Sequence, residues 1–575
     1  MHMKAMLLTG AAACVLSTGG AEAAVKHRHH KPAAPDAAAA ATNQRLDALA
    51  AEVESLKARL DQETLAREQS DAQVKAAQDQ AATASADAQS ARTQLAEQVQ
   101  TVPGEIKAAV DAAKPKTDKI HYKGVTLTLG GFLEAADIYR SRDETADISS
   151  SFAKLPFESD RASHTAENAF SPRQTRVSAL VEGDISPDVR ASFYGEFDFQ
   201  GAAQTANSNQ SNSYNPRIRH LFGALDWDDS GWHLMAGQNF SLATLNSHSL
   251  LPRTELTPPQ IDGAYLVGFV WTRQPQIRLV KDFGKTLWLG VSLENPQTTF
   301  SLNGTNSGVA TGVTLTDSQA PTNGYYSGAN YSLNSVPDVV AKIAYDPSFG
   351  DRHLHVEAFG LMRDFTDRVT IAPTAGTEAA TLGYAAGTHT NNSYGGGVGA
   401  GLDFNALPGL LDVQASMLAG QGIGRYASGQ LTDVTAKPDG QLVGIPETAW
   451  LVGGILHPTP QLDLYLFGGR EAQQAKVYRY GNLPASVAFG YGTLPGTNNS
   501  GCLVEGGTCS ALTKSVSEIT AGFWDRFYQG AYGRLQVGVQ YSHAERDAFA
   551  DSTAAGVAPK ASDDMVFTSF RYYPF

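Results

Sequence analysis

The chain of 575 residues has no hydrophobic run long enough for a membrane-spanning helix, which needs about 20 apolar residues. It is poor in cysteine, with three, and poor in positive charge, with 44 Lys and Arg against 58 Asp and Glu and a net charge of -14. The first absence leaves two classes, a soluble protein or a closed β-barrel, because a barrel is the other structure that satisfies every backbone group in lipid. The acidic balance argues against nucleic acid as a partner. The chain also lacks G-x-S-x-G, H-E-x-x-H and paired-carboxylate contexts, so it is read as a non-enzyme with no metal and no cofactor.

The N-terminus sets the compartment. Lys4 precedes an apolar stretch, Ala5 to Leu16, and then small residues ending in Ala21-Glu22-Ala23, the pattern of a cleaved secretory signal over residues 1–24. Cys14 would leave with it. The two remaining cysteines, Cys502 and Cys509, are then an even pair in an oxidising compartment and are expected to form a disulfide across a Gly-rich surface loop. Residues 25–41 read as a flexible linker. Its His27, His29 and His30 sit in basic context without carboxylate or thiol partners, which favours a solvated tether over a metal site.

From Leu46 to Val102 apolar residues recur with a period of seven. Placing Leu46 at position a puts apolar residues at thirteen of seventeen a and d positions, interrupted at Glu63, Arg67 and Ser70. A stripe this narrow and alanine-rich buries too little surface on one helix, so residues 42–121 are expected to form an oligomeric coiled coil and connector. At ~1.5 Å per residue the helix would be roughly 85 Å long, which brings peptidoglycan within reach. Pro103-Gly104 ends it.

After Tyr122 a period of two takes over. In Val189 to Gln200, Val189, Ala191, Phe193, Gly195, Phe197 and Phe199 alternate with Arg190, Ser192, Tyr194, Glu196, Asp198 and Gln200. One face suits lipid and the other water. Seven tight turns (near 185–188, 226–231, 282–285, 347–352, 405–409, 458–460 and 529–533) alternate with long Gly-, Asn-, Ser- and Thr-rich loops. Residues 122–575 are therefore expected to form an all-β transmembrane barrel of about sixteen antiparallel strands, beginning near 125, 174, 189, 216, 232, 274, 286, 337, 353, 394, 411, 448, 461, 515, 534 and 564, with both ends in the periplasm. Aromatic residues at strand ends, such as Trp227, Trp232, Phe527 and Tyr532, suit an interfacial girdle.

A barrel of this size encloses water, so lumen charges decide what passes. The inward set of the second to fourth strands includes Arg173 or Arg176, Arg190, Arg217 and Arg219, with Glu182, Glu196 and Asp198 nearby. Guanidiniums would concentrate small anions; pairing with the carboxylates, bracing the wall, is the alternative.

The closing stretch Asp563 to Phe575 (DDMVFTSFRYYPF), with Phe567, Tyr573 and Phe575 on one face, resembles the last strand of Gram-negative outer-membrane barrels, whose terminal Phe implies recognition by the barrel-assembly machinery; Arg571 stands where that pattern has an apolar residue. With the signal, the coiled coil, Gly130 to Tyr139 (GGFLEAADIY), Arg219 to Leu225 (RHLFGAL) and Gly237-Gln238, the whole resembles trimeric porins with an N-terminal coiled coil, the DcaP-type family. The resemblance implies a homotrimer in outer-membrane lipid, with the coiled coil in the periplasm, that passes small hydrophilic solutes, small organic anions such as dicarboxylates among them. Classical porins fold their third loop inward, which suggests Arg253, Glu255 and Asp262 as constriction charges on the connection from Ser241 to Arg273. Two other readings stay open: a sugar-selective porin, if Tyr194, Trp288 and Tyr465 form a stacking track, and a structural tether between outer membrane and cell wall.

Overall fold

The computed structural model describes residues 119–201, 215–300, 308–317 and 332–575, together with scattered positions between 54 and 90 that are helical and exposed. The signal, the linker and most of the coiled coil lie outside the described residues. The chain divides into two compact units, residues 1–114 and 115–575.

Among the described residues of the second unit, sixteen antiparallel strands close into one barrel. They are β1 (Val125–Arg140), β2 (Arg176–Ser186), β3 (Val189–Gly201), β4 (Asn215–Trp227), β5 (Trp232–Phe240), β6 (Arg273–Phe283), β7 (Leu287–Glu294) and β8 (Asp338–Tyr345). The second half comprises β9 (Arg352–Ile371), β10 (Gly387–Leu407), β11 (Leu411–Gln421), β12 (Pro446–Leu456), β13 (Leu462–Gln473), β14 (Thr513–Gly530), β15 (Gly533–Ala548) and β16 (Lys560–Tyr573). Each pairs with its neighbours in sequence. Closure comes where β1 pairs with β2 from Val125↔Gly183 to Phe132↔Arg176 and with β16 from Leu133↔Tyr572 to Arg140↔Met565. Below the last residues of β16, a short strand, Lys119–Tyr122, pairs with Val125–Thr128 and covers the edge of β1 that β16 leaves open.

The period of two is what separates lipid from lumen. Phe193 and Phe197 on β3, Leu289, Val291 and Leu293 on β7, and Trp450 and Val452 on β12 are exposed outward, while their neighbours point in. On β16 the outward residues are Val566 and Phe570; Phe567 and Arg571 face the interior, Phe567 fully buried there. The inside is far from empty. A cluster of Ile148, Phe152, Leu155 and Phe157 from the first long loop packs with Ile261, Leu266 and Phe269 from the third against Tyr465, Trp524, Met565 and Phe567 of the wall. Burying loop side chains against the wall releases water from both and fixes the loops inside.

Candidate functional site in the barrel lumen

The connection between β5 and β6, residues 241–272, runs inside the barrel, and polar wall residues hold its backbone. Glu294 of β7 accepts the Leu242 N–H (2.8 Å) and Glu357 of β9 accepts that of Asn246 (3.2 Å). Lys342 of β8, paired with Glu357 at 2.7 Å, donates to the Thr244 carbonyl (2.7 Å). On the far wall Gln540 of β15 accepts from the Ile261 N–H (2.5 Å), Trp524 of β14 donates to the Pro259 carbonyl (2.7 Å), and Glu518 and Glu471 accept from Val267 and Gly268 (2.8 and 2.7 Å). The third loop thus crosses the lumen from one wall to the other.

Beside it lies a cluster of arginines on β2, β4 and β6. Arg217 grips Asp198 with two bonds, Nε to Oδ1 at 3.0 Å and Nη2 to Oδ2 at 2.6 Å. Arg219 donates to Glu196 Oε1 (2.6 Å), Asp198 Oδ2 (3.1 Å) and the Tyr265 hydroxyl of the third loop (3.2 Å). Both carboxylates are thereby consumed. Two further guanidiniums are not matched: Arg176 lies over the Phe132 ring (5.2 Å), and Arg273 over Trp271 (5.1 Å) and Phe240 (5.6 Å). Among the described residues neither has a carboxylate within ion-pair distance, and Arg176 Nε and Arg273 Nη1 are buried without an acceptor. Burial would raise the Tyr265 phenol, but Arg219, Arg273 and Arg176 around it outweigh burial and hold it below its ordinary value. The local field is positive.

The expected pore residues fall into three groups. Arg176, Glu196, Asp198, Arg217 and Arg219 gather in this cluster. Arg253 is exposed on the third loop with its guanidinium 5.2 Å from the Tyr194 ring, and Glu255 pairs with Arg278 (3.5 Å) and accepts from Asn239 (2.8 Å). Two stand apart. Arg190 is half-exposed near the short turns, 3.9 Å from Asp184 and 3.6 Å from Asp228. Asp262 is fully buried and accepts from the Ser150 N–H (3.2 Å) and the Ala264 N–H (2.7 Å), so it fastens the first loop to the third instead of facing the water. Burial raises its carboxyl above the ordinary range.

Three contributors were not read from the sequence. Arg273 opens β6, where the alternation is too short to give it a face. Tyr265 belongs to a loop. His220 faces inward beside Arg219 because Glu196 pairs with His220 and Phe197 with Ile218, leaving Arg219 as the extra residue of a β-bulge. A period of two broken after Arg219 was the available signal. The proposed stacking track does not assemble: Trp288 and Tyr465 are 4% and 3% exposed, covered by packing. Cys502 and Cys509 are joined by a disulfide, and Cys502 is buried against the first loop's cluster.

No family model matches the chain, and no curated protein does. Among solved structures, the outer membrane channel DcaP of Acinetobacter baumannii is 18% identical, with a TM-score of 0.51 over 79% of this chain and 99% of that one. The anion-selective porin from Comamonas acidovorans is 12% identical, with a TM-score of 0.41 over 78% of this chain and 99% of that one. Salmonella typhi OmpF in complex with daunomycin is also 12% identical, with a TM-score of 0.41 over 79% and 99%. At 18% identity the likeness speaks to the fold alone: the chain shares the β-barrel fold of the DcaP channel.

Proposed function

We propose that the protein is an outer-membrane diffusion channel for small hydrophilic solutes that favours small organic anions, working as a homotrimer whose N-terminal coiled coil stands in the periplasm. The observation that carries the reading is the unmatched pair Arg176 and Arg273 beside Tyr265. Glu196 and Asp198 are already neutralised by Arg217 and Arg219, so an anion passing the third loop meets the positive field of two guanidiniums without carboxylate partners and little competing negative charge. Arg253, exposed over Tyr194, extends the same sign along the loop. Guanidiniums suit carboxylates because two parallel N–H groups match two oxygens.

Reversal potential across a planar bilayer under a salt gradient tests this. Arg176→Ala/Arg273→Ala removes cationic charge without exposing a carboxylate. At about 5 Å in a water-filled lumen one charge is worth about 1 kcal/mol, so anion preference should fall by roughly fivefold per residue removed. Arg217→Ala/Arg219→Ala should go further, because Asp198 and Glu196 are then bare, and should turn the channel towards cations. Conductance without anion preference in the wild type would discard the selectivity and keep the channel. Insertion without conductance would favour the cell-wall tether.

A further inference from the structure

On β12, β13 and β14, three neighbouring strands of the wall, the carboxylates Glu447, Glu471 and Glu518 point inward, all nearly or fully buried. Among the described residues none has a cationic side chain within ion-pair distance. A buried carboxylate without a counter-charge is costly, and it persists where hydrogen bonds take the place of water. For two of the three the donors are backbone N–H groups of loops. Glu518 Oε2 accepts from Val267 (2.8 Å), and its Oε1 from the Thr520 hydroxyl (2.7 Å). Glu471 Oε1 accepts from Gly268 of the third loop (2.7 Å) and Gly429 of the loop between β11 and β12 (2.8 Å), and Oε2 accepts from Gly429 as well (3.0 Å).

The crossing is built for close approach. Gly268 has φ +85°, and a Cβ there would lie 1.9 Å from the Trp450 carbonyl oxygen; one on Gly429 would lie 2.5 Å from Glu471 Oε2. The wall strand carries Gly469 where the Val267 carbonyl passes, with room for no side chain. Glycine on both loops and on the wall lets two backbones reach one carboxylate. Glu447 lacks these contacts: its Oε2 accepts from Gln473 (2.7 Å), and Oε1 has no partner.

We propose that Glu471 and Glu518 are positioning residues for permeation, latches that pin the third loop at Val267 and Gly268 and so hold Tyr265, two residues earlier, against Arg219 in the arginine cluster. Glu471 also ties the loop between β11 and β12 to the same point. The proposal rests on the channel reading for its consequence but not for its geometry, and the experiment separates the two.

The full-length protein carrying Glu471→Leu/Glu518→Leu is compared with Glu447→Leu, which removes a similarly buried carboxylate from the adjoining strand, one bonded to Gln473 and not to the third loop among the described residues. Removing these acceptors should speed hydrogen exchange at the Val267 and Gly268 amides by about tenfold or more. Unit conductance should change and the reversal potential should move towards zero. Glu447→Leu should leave all three at wild-type values, and Glu518→Gln, which keeps an acceptor for Val267, should stay close to wild type. If the double variant fails to insert, the single variants carry the same exchange prediction, Glu518→Leu at Val267 and Glu471→Leu at Gly268 and Gly429, where each loses its only side-chain acceptor. Unchanged exchange at Val267 and Gly268, or the same acceleration in Glu447→Leu, overturns the latch. Faster exchange in a protein whose wild type does not conduct leaves the latch standing and removes the channel.

Discussion

Arg571 is the residue that looks misplaced in the last strand, and its surroundings explain it. It faces the interior directly opposite Glu134 in the pairing of β16 with β1, with Nε 2.9 Å from Glu134 Oε1. Its guanidinium lies 4.7 Å from the Phe132 ring and 4.4 Å from that of Trp524, and Ser569 donates to the same Glu134 oxygen (2.5 Å). The pair therefore staples the first strand to the last, where the barrel must close. Breaking one half of a buried pair costs about 3–5 kcal/mol, whereas replacing both halves by apolar groups is often close to neutral. Arg571→Met should thus lower the temperature at which the folded, fast-migrating band is lost in SDS gels, since Glu134 stays buried without its cation. Arg571→Met/Glu134→Leu should recover most of that loss. A double variant no better than the single one would mean that the staple acts through its charge.

At the scale of elements, β10 shows how the wall makes room for the loop. Gly395, Gly397, Gly399 and Gly401 share its inward face; a Cβ on Gly399 would strike the Phe359 ring at 2.2 Å, and one on Gly401 would meet Leu245 of the third loop at 2.5 Å and Glu357 at 3.0 Å. Gly401→Val should push the descending limb of the loop and its Glu357 anchor off the wall at about 1–3 kcal/mol. The unit conductance should change while the folded band persists, and Gly360→Val, with nothing within 4 Å of the added Cβ, should behave as wild type. Most strand starts were legible because lipid on one side and water on the other force an alternation that needs no further context. The largest departure is β10, expected near 394 and beginning at 387: Gly387 to Ser393 (GTHTNNS) offers no apolar face, and the strand persists there on backbone pairing with β9 and on polar side-chain bonds, among them Thr370 to Thr388 (3.0 Å) and Asn391 to Asp367 (2.8 Å). At the site, alternation exposed Arg217 and Arg219. It could not place Arg273 or Tyr265, whose roles depend on a loop returning across a closed barrel, nor reveal that Asp262 is buried under the first loop. Loop burial is decided by contacts between residues far apart in sequence, and no local pattern carries it.

For the whole molecule the open matter is what holds copies together. The second unit, residues 115–575, is a closed barrel with its own interior clusters, and its wall needs no help from the first unit to satisfy its backbone. In the proposed trimer the heptad pattern of residues 46–102 would bring copies together, because a stripe so narrow buries too little surface on one helix. The two requirements are separable, so deletion of residues 42–114 with the secretory signal retained should leave a barrel with wild-type unit conductance and wild-type reversal potential. What should change is grouping. If the coiled coil supplies the association, full-length protein inserts in triplets of equal conductance steps and the deleted form in single steps, with loss of the slow-migrating oligomer in mild SDS. Triplets that survive the deletion would place the association on the barrel wall, where the outward Asp137, bonded to Asn168 at 2.8 Å beside the highly exposed Phe170, is a poor surface for lipid and a better one for another protein copy.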